Sequence, residues 1–234
     1  MLTLNVFWNT LFLEYLPYAS LAVLFFGIVT RFVFYNRSIQ ATSTQLIAND
    51  MALKVGSYMW HYGIVMVLLG HIFGLLTPMW MYDWFMSPAT KRILAISLGS
   101  IFGLSALCGL MILTARRFFN ANVSVNSTFQ DKYILLWLMA QVILGLSATG
   151  CSAFGSLANY LSFDSWAQGL VTFQPDVWEY IAGSKLVYKL HIVNGFLIFM
   201  FFPYSKLMHF LVFPVQFIWR KGQQIVWKRN RFNE

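Results

Sequence analysis

Polar and apolar positions in this chain are bunched rather than alternating. Long apolar runs occupy about residues 12–34, 55–76, 93–115, 133–149 and 186–215, with short polar or aromatic connections between them. A helix needs about 20 mostly apolar residues to cross a bilayer, with roughly 17 as the lower limit, so the pattern predicts five transmembrane helices in an all-α integral membrane protein. Pro17 falls near the start of the first run, where a missing amide donor is tolerated, and Glu14 lies at its outer edge. That run is preceded by no basic segment and followed by further spans, so it is not expected to be a cleaved signal peptide. Residues Tyr35–Lys54, rich in Ser, Thr, Gln and Asn, predict a connecting loop. The second run ends at Thr77-Pro78, and the aromatic cluster Trp80, Tyr82, Trp84 and Phe85 reads as an interfacial belt. In the third run Gly99 and Gly103 stand in small-xxx-small register, with Gly109 beyond, a spacing that lets helix backbones approach closely. No internal repeat or low-complexity segment appears, so residues 1–234 are expected to form a single domain.

Composition agrees with the pattern. Hydrophobic residues make up 59% and charged residues 10% of the 234, and the mean hydropathy is +0.63, far from the balance of a soluble domain. Cys108 and Cys151 fit no metal spacing and read as small buried apolar residues. The net charge of +8 is mostly topology. With the N-terminus outside, the inner side collects Arg31, Arg37, Lys54, Arg116, Arg117, Lys132, Lys206, Arg220, Lys221, Lys228, Arg229 and Arg231, while the outer side keeps Lys91, Arg92, Lys185 and Lys189. Twelve against four predicts an outer N-terminus and a cytoplasmic C-terminus. Anionic lipid and an acidic cytoplasmic partner are the natural counter-charges, and nothing calls for nucleic acid. The tail Arg220–Glu234, with Ile225 and Trp227 among five cations, suits a membrane surface, a soluble subunit or plain solvent.

The chemistry sits in four histidines, the whole complement of the chain. His61 and His71 lie in the second run, His191 and His209 in the fifth. Ionisable groups inside a membrane are expensive and are retained mostly where they are used, so the four read as ligand pairs for two haems b. The second helix runs inside to outside and the fifth runs back, which matches His71 with His191 near the outer face and His61 with His209 near the inner one. The spacing agrees only approximately, since ten residues rise ~15 Å and eighteen ~27 Å; tilt and a kink at Pro203 would absorb the difference. Eighteen residues at about 100° each bring His191 and His209 to one face, while His61 and His71 differ by about 80°. Gly63, Gly70, Gly74 and Gly195 stand beside these histidines, where a macrocycle needs room. Two other readings use the same residues: polar side chains bonded to a neighbouring helix, and transition-metal ligands of a permease. The spans lack the Asp and Glu expected beside a cation path.

Several stretches together resemble a known family, the gamma subunit, or cytochrome b, of membrane-bound respiratory nitrate reductase. They are Leu16-Pro17-Tyr18, the segment from His61 to Ile64, the run from Gly70 to Pro78 with Trp80-Met81-Tyr82, Arg116-Arg117, Trp166 to Phe173, Lys189-Leu190-His191, and Pro203 to His209 with Pro214-Val215. The resemblance extends over nearly the full length and is weakest between Gly150 and Lys185. The related membrane subunits of sulfite- and heterodisulfide-linked complexes share the haem frame and are the alternative within this resemblance, while Thr77-Pro78 with Trp80-Met81-Tyr82 looks more like the nitrate enzyme. The resemblance implies five helices in the bacterial cytoplasmic membrane, with His71 and His191 ligating an outer haem b and His61 and His209 an inner one. It also implies that a quinol is oxidised near the outer haem, with Lys91 and His71 at its site. Electrons then pass inward to an iron–sulfur beta subunit and a molybdenum-containing alpha subunit on the cytoplasmic side. Haem propionates need cations, for which Arg31, Arg116 and Arg117 are candidates. The outer loops of some relatives carry histidines that this chain lacks. With no cysteine cluster and no extramembrane catalytic domain, the chain is not expected to reduce nitrate by itself.

Overall fold

Three of the long helices are closed at their starts by a polar residue that lies outside the apolar run it serves. In the computed structural model, which describes residues 2–35, 39, 44, 47, 48 and 50–211, the described residues form helices and connections and no strand. Helix α1 runs Leu2–Thr10, passes through one π-helical turn at Leu11–Tyr15 and continues as Leu16–Phe34. After it come α2 (Met51–Leu76), the single turn α3 (Met79–Tyr82), α4 (Pro88–Phe119), the short α5 (Ala121–Val125), α6 (Phe129–Ala153), α7 (Leu157–Val171) and α8 (Leu186–Phe201). Side chains of Asp50, Ser87 and Thr128 accept backbone N–H groups at the starts of α2, α4 and α6, so these helices outrun the apolar stretches 55–76, 93–115 and 133–149. Five helical stretches are long and apolar enough to span a membrane: Leu4–Phe34, Met51–Leu76, Pro88–Phe119, Phe129–Ala153 and Leu186–Tyr204. Large apolar side chains such as Phe25, Phe73, Ile101 and Ile143 point outward, as lipid-facing positions require.

Two expectations about prolines change. Pro17 lies well inside α1 because Leu2–Thr10 adds helix ahead of it. Proline cannot donate to the carbonyl of Leu13 four residues earlier. The chain responds with the π turn, in which the Leu16 N–H reaches Leu11 O, and the Trp166 indole Nε1 donates to Leu13 O at 2.8 Å. Glu14 is correspondingly buried rather than at the edge of the span. At the other end of the chain, the predicted continuous helix 186–215 stops at Phe201. Beyond it, Pro203 and an extended Ser205 (φ −111°, ψ 172°) divide the backbone into 3₁₀ turns at Phe202–Tyr204 and Lys206–Met208. His209 therefore lies past a break in the helix, and the 18-residue periodicity that would put it on one face with His191 does not hold. Val215, Arg37 and the basic tail 220–234 lie outside the described residues.

Helix packing runs in sequence from α2 to α4, α4 to α6, α6 to α8 and α8 to α1, and α2 and α8 are not packed neighbours. The closest crossing joins α2 and α4. A Cβ on Gly109 would collide with the backbone of Trp60 and meet Gly56 O at 2.7 Å, and one on Gly63 would meet Ala106 N at 2.6 Å. Gly109 thus carries the backbone approach that the sequence suggested, while Gly103 meets a side chain, Leu146, and Gly99 faces open space. Gly63 serves this crossing rather than making room for a macrocycle. Ser105 Oγ donates across it to Met59 O at 3.2 Å. The end of the bundle that carries Lys91 is covered by α7 and the 3₁₀ turn Val177–Ile181, through a cluster of Leu13, Trp166, Ala167, Leu170, Val177 and Ile181. The other end carries Arg116.

Candidate cofactor and substrate site

Two helices that do not pack on each other, α2 and α8, are bridged by histidine rings. The centroids of His71 and His191 are 5.9 Å apart, and those of His61 and His209 are 6.2 Å apart. These are the pairs that depth matching predicts, although the second reaches its partner through the 3₁₀ turns rather than along a straight helix. Two imidazoles that hold one metal atom from opposite sides, with bonds of about 2 Å each, have centroids roughly 6 Å apart. The hydrogen bonds fit the same use. Nδ1 of His71 donates to Val67 O at 2.7 Å, Nδ1 of His61 to Ser57 O at 2.8 Å, and Nδ1 of His209 to Lys206 O at 2.6 Å. A carbonyl can only accept, so Nδ1 carries a proton in each of these three rings, and the neutral form of that tautomer leaves Nε2 for a metal. His191 Nδ1 is buried with no hydrogen-bond partner among the described residues.

Room for a flat group is also visible. His61 and His71 are exposed along α2, and a Cβ on Gly70 or Gly74 would meet nothing within 4 Å. Gly195 is different: its Cβ would lie 2.9 Å from Gln141 Nε2, so this glycine admits a side chain from α6. Gln141 donates to His191 O at 3.1 Å, Asn194 to Gln141 at 2.8 Å and the Trp137 indole to Asn194 at 2.7 Å, a polar chain that fixes the backbone carrying His191. Gly145 clears space for the imidazole itself, since its Cβ would lie 2.9 Å from His191 Cε1. Neither Gln141 nor Gly145 stands out in the sequence, because a glutamine and a glycine in an apolar run carry no signal until a neighbouring helix is placed against them. Among the described residues no group of three or more His, Cys, Asp or Glu is assembled. Two histidines per site are what a macrocycle leaves for the protein to supply.

The arginines at the other end differ from one another. Arg31 lines a cleft of about 500 Å³ together with Val23, Phe26, Gly27, Thr30 and Tyr204. Arg116 is buried and already engaged: its Nε donates to both oxygens of Asp50 at 3.0 and 2.9 Å, its Nη1 to Thr44 Oγ1 at 2.6 Å, and its Nη2 to Ala48 O. It ties Thr44, Ala48 and the capping Asp50 at the start of α2 to the last turn of α4. Arg117 lies 3.3 Å from Asp131, and Lys206 lies 2.7 Å from the other oxygen of the same carboxylate. Lys206 is the residue whose carbonyl receives the His209 proton, so buried Asp131 steadies the segment that presents this histidine.

Lys91 is not the surface lysine that its place at a helix start suggests. It is 6% exposed, its Nζ donates to Asp164 Oδ2 at 2.8 Å and to Thr77 O at 3.3 Å, and it stands 4.5 Å over the Tyr82 ring. Thr77 caps α2 six residues beyond His71, so the buried pair and the His71–His191 pair share one end of the bundle. Gln168 of α7 donates to Leu75 O at 3.1 Å, fixing α7 over that end. Asp164 is 5% exposed, and its Oδ1 and the hydroxyl of Tyr160, one helical turn away, are buried without hydrogen-bond partners among the described residues. Burial holds the Asp164 carboxyl above the usual carboxylate range, with Lys91 pulling the other way. Burial also raises the Tyr82 and Tyr160 hydroxyls, reinforced by the charge of Asp164. Asp164 is not among the residues that the sequence singles out, yet a signal existed: it is the sole charged residue of LANYLSFDSWAQGLV. Neighbouring Arg92 donates to the carbonyls of Ser152, Ala153 and Gly155 at 2.6, 3.3 and 2.5 Å, holding the junction between α6 and α7.

Known proteins resemble this chain over most of its length. Residues 9–228 match the family described as nitrate reductase gamma subunit. The chain is 35% identical over 216 residues to the respiratory nitrate reductase 2 gamma chain of Escherichia coli (strain K12), covering 92% of this chain and 95% of that one. It is 32% identical over 220 residues to the respiratory nitrate reductase 1 gamma chain of the same organism, covering 94% and 97%. The nitrate reductase gamma chain of Bacillus subtilis (strain 168) is 29% identical over 207 residues, covering 88% and 92%. These matches run along almost the whole length and take in all five membrane-spanning helices. The chain belongs to the nitrate reductase gamma subunit family, as a multi-pass membrane component of an oxidoreductase complex.

Proposed function

We propose that this chain is the quinol-oxidising, electron-transferring membrane subunit of a respiratory nitrate reductase in the bacterial inner membrane. Its N-terminus and the Lys91 end lie outside, and the Arg116 end lies in the cytoplasm, where an iron–sulfur beta subunit and a molybdenum-containing alpha subunit dock. The observation that carries this reading is the facing of two histidine pairs, at 5.9 and 6.2 Å between centroids, in a chain of this family. His71 and His191 would hold the outer haem b, with Gly70 and Gly74 giving it room, and His61 and His209 would hold the inner one. Haem b held by two histidines supplies one-electron transfer at a potential that its surroundings tune. Of the three propionate candidates, Arg31 is favoured by its position on a cleft.

The chain's own residues do the rest. An ammonium carries three donors, and Lys91 spends two of them on Asp164 and Thr77. The third is available for a quinol oxygen, where a fixed positive charge favours the anion formed as a proton leaves. The helix α7 and the Trp166 cluster keep that region away from bulk water. In isolated membranes, a short-chain quinol should reduce a b-type absorption spectrum before nitrate reoxidises it. A spectrum that nitrate oxidises but quinol never reduces would refute the donor side of this proposal.

A further inference from the structure

We propose that Asp164 is the proton acceptor of the quinol site, with Oδ1 as the atom that receives the proton. This rests on the reading of a quinol at the Lys91 end and adds to it a residue that the sequence did not single out. Oδ2 of Asp164 is bound to Lys91 at 2.8 Å, while Oδ1 is buried and bare. A counter-ion alone would have no reason for this asymmetry, because a buried carboxylate oxygen without a donor is unfavourable and is normally satisfied. Beside it Lys91 has one uncommitted N–H. An oxygen that lacks a donor, next to a donor that lacks an acceptor, matches a single hydroxyl group: its O–H donates to Asp164 Oδ1 while its oxygen accepts from Lys91 Nζ. A quinol hydroxyl has this chemistry.

The atoms and electrons of the step balance. The quinol O–H bond breaks, its proton bonds to Asp164 Oδ1, and one electron would pass to the haem that His71 and His191 would hold, leaving the quinol oxidised by one electron. The proton then passes outward, with the Tyr160 hydroxyl one turn along α7 as the adjacent polar group. The groups facing Asp164 are Lys91 from α4, Tyr82 from α3 and Tyr160 from α7 itself. The 3₁₀ turn packed on α7 presents Val177 and Ile181, and its Glu179 is exposed. Burial outweighs Lys91 and lifts the Asp164 carboxyl above its ordinary value. The accepting, ionised form therefore appears as pH rises through a value above the ordinary carboxylate one, and quinol oxidation rises with it.

The test uses the assembled complex. Asp164→Asn should keep both b-type haems and full activity from an artificial donor that feeds the partner subunits. Its turnover with quinol should fall about 100-fold, within the range of general-base losses, and the rise of rate with pH should disappear. Asp164→Glu should keep the pH-dependent rise at a reduced rate. On quinol reduction, the infrared difference spectrum of the wild type should show a carboxylic-acid carbonyl band that shifts with carbon-13-labelled aspartate. That measurement needs no variant, so it can overturn the assignment even if Asp164→Asn fails to assemble. A wild-type pH profile in Asp164→Asn, or a carboxyl band that ignores the aspartate label, would overturn the assignment. So would recovery of quinol oxidation in the double variant Lys91→Met/Asp164→Asn, which would make Asp164 a counter-ion only. Failure of quinol to reduce the wild-type haems at all is a different result, and would strike the reading of the site itself.

Discussion

His71→Ala and His191→Ala should each abolish the same one of two b-type spectral components, and His61→Ala and His209→Ala should each abolish the other. Each ring faces one partner at about a metal's span, 5.9 Å in one pair and 6.2 Å in the other. His61 and His71 are ten residues apart on α2, which separates the pairs by ~15 Å along its axis, too far for one metal. Three of the four rings donate from Nδ1 to a backbone carbonyl, which leaves Nε2 for a metal in the neutral ring, so removing one imidazole would leave its partner to hold the group alone. Loss of either component should bring quinol-to-nitrate electron transfer to background, since the proposed route takes the two in series. Artificial donors that reach the partner subunits directly should still work. If His71→Ala and His61→Ala removed the same component, the pairing would be wrong.

Lys91→Ala should lower quinol oxidation by roughly 10²-fold, the loss typical of one fixed donor to a developing oxyanion, while both haems remain. The structure adds a complication that the sequence could not show. Lys91 is half of a buried ion pair, and deleting one partner of such a pair typically destabilises by about 3–5 kcal/mol when the other stays charged. Protonation of Asp164 relieves that penalty, so the variant should assemble better at low pH than at high pH. Thermal unfolding of detergent-solubilised complex at two pH values reads this directly. Arg92→Ala should act otherwise. It loses three bonds to the end of α6, loosening the junction that carries α7, with no change in the haem spectrum. Near-normal quinol oxidation in Lys91→Ala would leave this residue only its structural role.

The spans and the histidines were legible because bilayer thickness and the expense of a buried imidazole act on the sequence directly. Existence and number of the helices came from apolar length, whereas their ends did not, because Asp50, Ser87 and Thr128 close them from outside the apolar runs. The π turn before Pro17 and the break at Ser205 depend on partners distant in sequence, such as Trp166 on Leu13. Glycines were recognisable as close-approach positions, but not what approaches them. Gly63 and Gly195 admit a helix backbone and Gln141, while Gly70 and Gly74 face open space. The connection from Gly150 to Lys185 hid the most. Its helix α7 brings Asp164 across 73 residues to Lys91, and no local pattern in either segment announces the pair.

The most direct measurement of the central claim is a reduced-minus-oxidised absorption spectrum of the purified wild-type chain, combined with haem extraction and quantification per polypeptide. Two low-spin, bis-histidine b-type haems per chain are predicted. A folded preparation with one haem, or none, would contradict the account.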